Sequence, residues 1–249
     1  LRSQPSLPAN ALITALLEAE PPIVHSSHDP DEPLTEANLM TSLTDLADRE
    51  LVHIINWAKR IPGYSDLSLN DQVHLLQSSW MEVLILGLAW RSMDHGGKLV
   101  FAPDLILDRN QSKCVAGMDE ICDQILAVAR QFRELQIQRE EFVCLKAITL
   151  LNAASLTSLN LTAEGLEDSD QIHNLQDTIH DALLDTTTRS HPDSPQQSKR
   201  LAQLLMLLSH VRQISSKGIE HLFSMKSEGR VPLYDLLLEM LDAQTSRSH

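Results

Sequence analysis

The chain has 249 residues, of which 43% are apolar and 22% charged, a balance typical of globular and not of disordered proteins. Aromatic residues make up only 4% and leucine is abundant, which favours packed helices over a β-sandwich. The net charge of −14 leaves no cationic surface for nucleic acid. The three cysteines, Cys114, Cys122 and Cys144, match neither a disulfide framework nor a zinc site, which indicates a reducing compartment.

Helical periodicity runs through most of the chain. A first helix is predicted over about residues 8–17. The stretch 18–33 contains four prolines and no helical period, so we expect a flexible connector. A second helix begins near Thr35, a possible N-cap, and ends before Ile61-Pro62-Gly63. Ser68-Leu69-Asn70-Asp71 resembles a capping box that opens a third helix.

This third helix is predicted to end near Arg91 and contains the densest apolar run, from Trp80 to Trp90, which carries Glu82. The run is too short to cross a bilayer, so it predicts a buried helix and not a membrane span. Leu99–Phe101 and Leu105–Leu107, on either side of a turn, predict a small β-hairpin. The remaining helices are predicted over about 118–135, 140–152, 169–185, 196–225 and 233–243.

These elements predict an all-α protein in which about 11–12 antiparallel helices pack in three layers around one small hairpin. The helical pattern is interrupted at 18–33 and at 189–195, and neither stretch is long enough for a domain linker. Residues 1–249 are therefore predicted to form a single domain with its core over about 8–243. The first residue is Leu1 and not Met, so we expect the chain to be part of a longer protein.

Three polar residues interrupt the helical pattern and are candidates for a function. Glu50 lies on the apolar stripe of the second helix, either at its edge or buried against a cation. Arg91 could pair with such a carboxylate through bidentate hydrogen bonds, although a basic residue at a helix C-terminus is commoner. His221 follows Gly218 by three residues, and a histidine on such a helix is more often an ordinary core or surface residue than a ligand-binding one.

The sequence contains no phosphate-binding loop, dinucleotide fingerprint, nucleophile elbow or His-Glu-x-x-His motif. We therefore predict no enzyme activity, no cofactor and no metal site. The last helix, over 233–243, is apolar but short, so it must dock to be stable. Its Leu233-Tyr234-Asp235-Leu236-Leu237 matches Leu-x-x-Leu-Leu, a pattern by which helices enter grooves. Matches at 201–205 and 204–208 are expected in the core or an interface.

Seven stretches together resemble the ligand-binding domain of nuclear hormone receptors, and most closely that of estrogen receptors. They are LADRELVHIINWAKR at 46–60, DQVHLL at 71–76, WRSM at 90–93, KLVFAP at 98–103, LDRN at 107–110, EFVCL at 141–145 and VPLYDLLLEMLD at 231–242. The resemblance follows the family's order from about residue 8 to 243.

The resemblance implies a three-layer antiparallel helical sandwich that binds an estrogen-type steroid in an internal pocket. Glu50 and Arg91, with a water, would hold a phenolic hydroxyl at one end of the steroid, and His221 would hold the hydroxyl at the other. A carboxylate already paired with arginine can accept from a phenol while its charge stays compensated. The apolar wall would be formed by Met40, Leu43, Ala47, Leu84, Ile85, Leu88, Phe101, Met118, Ile121, Gly218, Leu222 and Leu237.

The same resemblance implies that the last helix closes over the pocket and completes a groove for Leu-x-x-Leu-Leu coactivator helices. Lys59 and Glu239 would clamp the two ends of the coactivator helix. The groove would also contain Ile55, Val73, Leu76, Gln77 and Met240. The 196–225 helix would carry a homodimer interface, and the domain would regulate transcription in the nucleus without itself contacting nucleic acid or membrane.

Three departures from the usual estrogen receptor pattern indicate a divergent member, such as one from an invertebrate. Gln77 replaces a glutamate near the acidic last helix, which favours docking of that helix without ligand. Cys122 replaces a phenylalanine of the pocket wall, and the loop 227–230 differs in charge. Three hypotheses stay open: estrogen-gated activation, constitutive activity with a collapsed or occluded pocket that binds no estrogen, and an enzyme or lipid carrier that uses the same cavity.

Overall fold

The computed structural model describes residues 7–157, 166–190, 192, 194–232 and 234–246. These residues form nine α-helices, one 3₁₀ helix and one two-stranded antiparallel sheet, which confirms the all-α class with a small hairpin. The elements are α1 (Ala9–Glu18), α2 (Glu36–Arg60), a 3₁₀ helix (Tyr64–Asp66), α3 (Leu69–Ser92), β1 (Leu99–Ala102), β2 (Leu105–Leu107), α4 (Arg109–Ser112), α5 (Met118–Glu134), α6 (Arg139–Thr157), α7 (Ser169–Ser190), α8 (Ser194–Ser227) and α9 (Asp235–Thr245).

The contacts of the backbone divide the chain into two compact units. Unit 1 consists of Leu1–Pro21, Ile55–Ser79 and Ile137–Leu208, and unit 2 of Pro22–Ile54, Trp80–Gln136 and Ser209–His249. Three of the five divisions fall inside α2, α3 and α8, so each of these helices belongs partly to both units. The single domain predicted for residues 1–249 stays a prediction.

In unit 1, α6 packs on α7, and α1 packs against both. Eleven consecutive residues of α6, 141–151, are buried, because this helix lies at the centre of the unit. Lys146 is one of them. Its ammonium group lies 2.5 Å from Glu20 Oε1 and 4.8 Å from the centre of the Trp57 ring, so the buried cation has both a carboxylate and an aromatic partner.

In unit 1 the predicted end of α2 and the predicted start of α3 are found, but α6 and α7 extend about five residues beyond their predicted ends, to Thr157 and Ser190. The cap of α3 is also used differently. The Ser68 side chain accepts from Asp71 N (3.2 Å) at the start of α3, which is the first half of a capping box. The second half is replaced, because the buried Asp71 carboxylate accepts from the backbone N–H groups of Glu167 and Asp168 at 3.1 and 2.8 Å. Asp71 therefore fastens the segment before α7 to the start of α3.

In unit 2, the second half of α3 is a core helix. By length and composition alone, Leu69–Ser92 could cross a membrane, yet more than half of its most apolar 18-residue stretch is buried inside the protein. The hairpin follows it directly. Ser92 Oγ accepts from Val100 N at 2.8 Å and donates to Leu88 O at 2.6 Å, which joins β1 to the end of α3.

Glu18, the first residue of the connector predicted over 18–33, ends α1, and residues 19–33 contain no helix. Side chains of unit 2 hold residues 25–27 of this segment. Ser26 donates to both carboxylate oxygens of Asp104, through N at 2.8 Å and through Oγ at 3.1 Å. Arg49 donates to the carbonyl of His25 at 2.7 Å. Ser27 Oγ donates to Asp45 at 2.9 Å. The segment is therefore held to α2 and to the hairpin turn.

Several helix bounds differ from the predicted ones. The last helix begins at Asp235 and ends at Thr245, where 233–243 was expected, because Tyr234 has the extended backbone of an N-cap. Leu233 lies outside the described residues. Helix α4 was not predicted. Its cap is a complete capping box between Asp108 and Gln111, a signal that the sequence does contain.

Candidate functional site

All fifteen residues predicted to bind a ligand belong to unit 2. They lie on the hairpin, on α5, on α9, and on those parts of α2, α3 and α8 that belong to unit 2. Distant segments of the sequence are thus gathered into one compact unit.

The structure brings Glu50 and Arg91 together. Arg91 Nη2 lies 3.3 Å from Glu50 Oε1. The guanidinium also donates to two carbonyls of β1, from Nε to Val100 O at 3.1 Å and from Nη2 to Phe101 O at 3.2 Å. Phe101 lies where the strand register shifts, and a bulge leaves its residue unpaired in the ladder. The bulge therefore supplies an acceptor for Arg91.

Pairing of Arg91 with a buried carboxylate, one of the two alternatives that the sequence left open, is found, but it is not bidentate. There is one contact between them, and it is longer than a strong charge-assisted hydrogen bond. Two hydrogen bonds of Arg91, from Nε and Nη2, go to the hairpin, which the sequence could not show. A Cβ atom on Gly87 would lie 3.2 Å from Arg91 Nη1, so the missing side chain one turn before Arg91 gives the guanidinium its space.

Glu50 keeps capacity to accept a further hydrogen bond. No hydrogen bond within the described residues reaches its second oxygen, and its side chain is 18% exposed. Burial raises the pKa of Glu50 above its ordinary value, while the positive charges of Arg91 and Arg49 act in the opposite direction. Because a neutral donor would satisfy the free oxygen without adding charge, this carboxylate suits a hydroxyl group.

His221 is half-buried on α8 and contacts the backbone before α5. Its Nε2 lies 2.7 Å from Ala116 O. Since a carbonyl only accepts, Nε2 carries the hydrogen, and in a neutral ring Nδ1 is an acceptor. Gly117 makes this approach possible, because it has a φ of +80° and a Cβ there would lie 3.2 Å from the ring.

The apolar candidates divide into two groups by exposure. Met40, Ile85, Leu88, Met118, Leu222 and Leu237 are buried, and Leu43, Ala47, Leu84, Phe101, Ile121 and Gly218 are half-buried. Cys122, the residue that departs from the family pattern, is 2% exposed. Burial raises the pKa of its thiol to about 12, partly offset by a hydrogen bond with Ser112. Cys122 is thus a neutral, apolar residue of the core.

The residues predicted for coactivator binding fall in both units. In unit 1, Lys59 and Val73 are exposed, Ile55 and Gln77 are half-buried, and Leu76 is buried. In unit 2, Glu239 is exposed and Met240 is buried. Their role in coactivator binding stays a prediction.

Among the described residues, three ion pairs in which at least one charged side chain is buried were not predicted from the sequence. Glu82 lies 3.4 Å from Arg212 in unit 2. In unit 1, Arg200 pairs with Glu141 through two hydrogen bonds of 2.8 and 2.7 Å, and Lys146 pairs with Glu20. A signal existed for Glu82 and for Lys146, since each is a lone charge inside an apolar run. Arg200 gave no signal, because it lies in a polar stretch.

Helix α9 is held by two side chains from elsewhere in unit 2. Asp48 Oδ1 accepts from Leu237 N at 2.9 Å, which satisfies a backbone donor in the first turn that no side chain of α9 caps. Lys226 at the end of α8 forms an ion pair with Asp242. Leu237, Met240 and Leu241 are buried. In the described part of the chain, no group of three His, Cys, Asp or Glu side chains could hold a metal ion.

Comparison of the sequence with known proteins shows the family to which the chain is similar. Residues 28–228 match the family model "Ligand-binding domain of nuclear hormone receptor". The chain is 59% identical to the estrogen receptor of Taeniopygia guttata over 238 residues, which are 96% of this chain and 40% of that protein. It is 56% identical to the estrogen receptor of Anolis carolinensis, over 96% of this chain and 68% of that protein. It is also 56% identical to the estrogen receptor beta of Mus musculus, over 98% of this chain and 46% of that protein. The chain spans about 40% of the length of the first of these relatives.

Proposed function

Because this chain belongs to the nuclear hormone receptors, and among them to the estrogen receptors, as a ligand-binding domain, we propose that it binds an estrogen-type steroid within unit 2. Glu50 and Arg91 would hold the phenolic hydroxyl of the steroid. The free acceptor oxygen of Glu50, beside an arginine fixed by two carbonyls, is the observation that carries the proposal. His221 would accept from the second hydroxyl through Nδ1, since Nε2 is already used.

Steroid binding would act by shifting the population of α9 towards its docked state. A ligand shifts such an equilibrium only by its differential affinity for the two states. Leu237 on α9 is 1% exposed and belongs to the predicted wall. A steroid in contact with Leu237 would bind the docked state more tightly than the undocked one, and this difference is what would make the domain a switch.

The docked state would bind Leu-x-x-Leu-Leu coactivator helices. The exposed ammonium of Lys59 suits the negative end of a helix dipole, and the exposed carboxylate of Glu239 suits the positive end. The domain would regulate transcription in the nucleus, and it would not be an enzyme. As the family resemblance implies, the domain would also form a homodimer through residues 196–225.

The first test is titration of a fluorescent Leu-x-x-Leu-Leu peptide into the purified domain, with and without saturating estradiol. We expect estradiol to tighten peptide binding. By reciprocity, the peptide must then tighten estradiol binding by the same factor. Weaker peptide binding by Lys59→Ala and by Glu239→Ala would support their assignment to the two ends of the peptide.

Arg91→Ala tests the steroid site directly. A hydrogen bond to a charged group contributes about 1.5–3 kcal/mol, so estradiol affinity should fall about 10- to 150-fold. Arg109→Ala is the matched control, because Arg109 is an exposed arginine of unit 2 that pairs with Asp123 at 2.9 Å. Unchanged estradiol affinity in Arg91→Ala would refute the proposed phenol site.

A second candidate function is constitutive activity without estrogen binding. It is favoured by the contacts of α9 with Asp48 and Lys226, since both are made by side chains of the chain itself. In that case the peptide binds equally and strongly with and without estradiol. An absence of measurable estradiol binding by the unmodified domain would then separate this function from the first.

A further inference from the structure

Seven residues separate the end of α8 at Ser227 from the start of α9 at Asp235. The chain turns sharply as it leaves α8. Gly229 N donates to Lys226 O and Arg230 N donates to Met225 O, both at 3.0 Å. Gly229 has a φ of +66°, the left-handed conformation that glycine adopts at helix C-termini. The backbone thus places Arg230 close to the end of α8.

The Arg230 guanidinium is held between two carboxylates. Its Nε and Nη2 donate to Glu36 Oε1 at 2.9 and 2.6 Å, and Glu36 lies in the first turn of α2. Its Nη1 donates to Glu228 Oε2 at 2.9 Å, and Glu228 accepts in turn from Ser224 Oγ at 3.1 Å. The loop is therefore tied to the start of α2 as well as to the end of α8.

We propose that Arg230 is a positioning residue for α9, because its clamp between Glu36 and Glu228 fixes the loop that leads into this helix. The clamp raises the docked fraction of α9 whether or not a steroid is bound. The inference rests on the proposed function in one respect, that docked α9 is the coactivator-binding state. All the contacts from which the clamp is inferred lie within unit 2.

The size of the effect follows from the length of free chain. The turn at Gly229 is held both by its backbone hydrogen bonds and by the clamp. If the turn frays when the clamp is lost, α9 is tethered from Ser227, eight residues before Asp235, whereas the clamped turn tethers it from Arg230, five residues before Asp235. Effective concentration falls roughly as the −3/2 power of tether length. Shortening the tether from about eight to about five residues therefore raises it about twofold. Loss of the clamp should lower the docking equilibrium constant of α9 by about this factor.

Hydrogen exchange of the α9 amides, residues 235–245, measures docking without steroid or peptide. We expect Arg230→Ala to speed their exchange about twofold, while the amides of α5 exchange at the unmodified rate. Glu36→Gln should give the same increase. The double variant should add little to either single change, because both remove one interaction.

Lys217→Ala is the matched control. It breaks an exposed ion pair of 2.8 Å with Glu120 elsewhere in unit 2, and it should leave α9 exchange unchanged. Arg230 and Glu36 are each about one-third exposed, so the variants should fold, and equal melting temperatures verify this.

Unchanged α9 exchange in Arg230→Ala would overturn the inference. So would fully multiplicative effects of the two single changes, since these would mean that the residues act separately. The outcome is distinct from that of the proposed function. If α9 exchange rises but no variant binds a Leu-x-x-Leu-Leu peptide, the positioning role stands and the coactivator proposal falls. If the peptide binds and α9 exchange is unaffected by Arg230→Ala, the reverse holds.

Discussion

The buried carboxylate of Glu82 should make the free energy of unfolding decrease as the pH rises. This carboxylate lies on the core helix α3, and its side chain is only 9% exposed. Burial raises the pKa of Glu82 from 4.5 to about 7, although the charge of Arg212 and a hydrogen bond from it partly offset the increase. The single contact with Arg212, at 3.4 Å, is too long to compensate the loss of hydration.

The sign and size of the effect follow from proton linkage. The folded pKa lies above the unfolded one, so the native state binds more protons between pH 4.5 and pH 7. The free energy of unfolding therefore decreases as the pH rises through this window. One pKa unit corresponds to 1.36 kcal/mol, so the shift corresponds to about 3 kcal/mol of stability that is present at pH 4.5 and lost by pH 8.

Glu82→Gln isolates this contribution, because glutamine keeps the shape of the side chain and does not ionise. The variant should match the unmodified protein near pH 4.5 and exceed its stability by about 3 kcal/mol at pH 8. Urea unfolding followed by circular dichroism measures both values, at high dilution near pH 5 because the pI is about 5.1. Glu120→Gln, at an exposed carboxylate, serves as control. A difference between Glu82→Gln and the unmodified protein that stays constant from pH 4.5 to pH 8 would refute the reasoning.

Two further changes test the packing of single residues. Arg200→Met should reduce the free energy of unfolding by about 3–5 kcal/mol, because it leaves the fully buried Glu141 carboxylate without its cation. Urea unfolding should show that Arg200→Met/Glu141→Gln recovers part of this loss, and an equal loss in both variants would contradict the reasoning. Gly63→Ala should lower the free energy of unfolding by about 1–2 kcal/mol, because Gly63 has a φ of +87°. The loss should exceed that of Gly96→Ala, since of these two positions only Gly63 has a side-chain atom, Leu175 Cδ2, within 2.5 Å of the new Cβ. Thermal melting compares the two glycine variants, and an equal loss would exclude a contribution from Leu175.

Local signals predicted most of the helices. Apolar periodicity identified α2, α3, α5 and α8 to within a few residues, since each buries one face over many turns. The stop at Ile61-Pro62-Gly63 could be predicted because Gly63 adopts a conformation that other residues avoid. The 3₁₀ helix and α4 are short, so they carry too few residues for a periodic pattern and were missed.

Contacts between distant residues could not be predicted in the same way. Asp71 was expected to complete a local cap, but it accepts from backbone groups 96 and 97 residues away. Arg91 was expected to give its donors to Glu50, but two go to the hairpin. In each case the residue type predicted a charged hydrogen bond, and only the fold decides which partner comes within reach.

The pairing of the buried carboxylates separates structural residues from a candidate ligand site. Both oxygens of the fully buried Glu141 are engaged, because each accepts from Arg200 and one accepts also from Gln138 N at 2.9 Å. A ligand could reach it only by displacing one of these donors. Glu50 has one contact of 3.3 Å and a second oxygen that the described residues leave free. The two carboxylates therefore predict opposite phenotypes. Disrupting the Glu141 pair should change unfolding and leave steroid affinity intact in the folded fraction, whereas Glu50→Gln should weaken estradiol binding with little change in the free energy of unfolding.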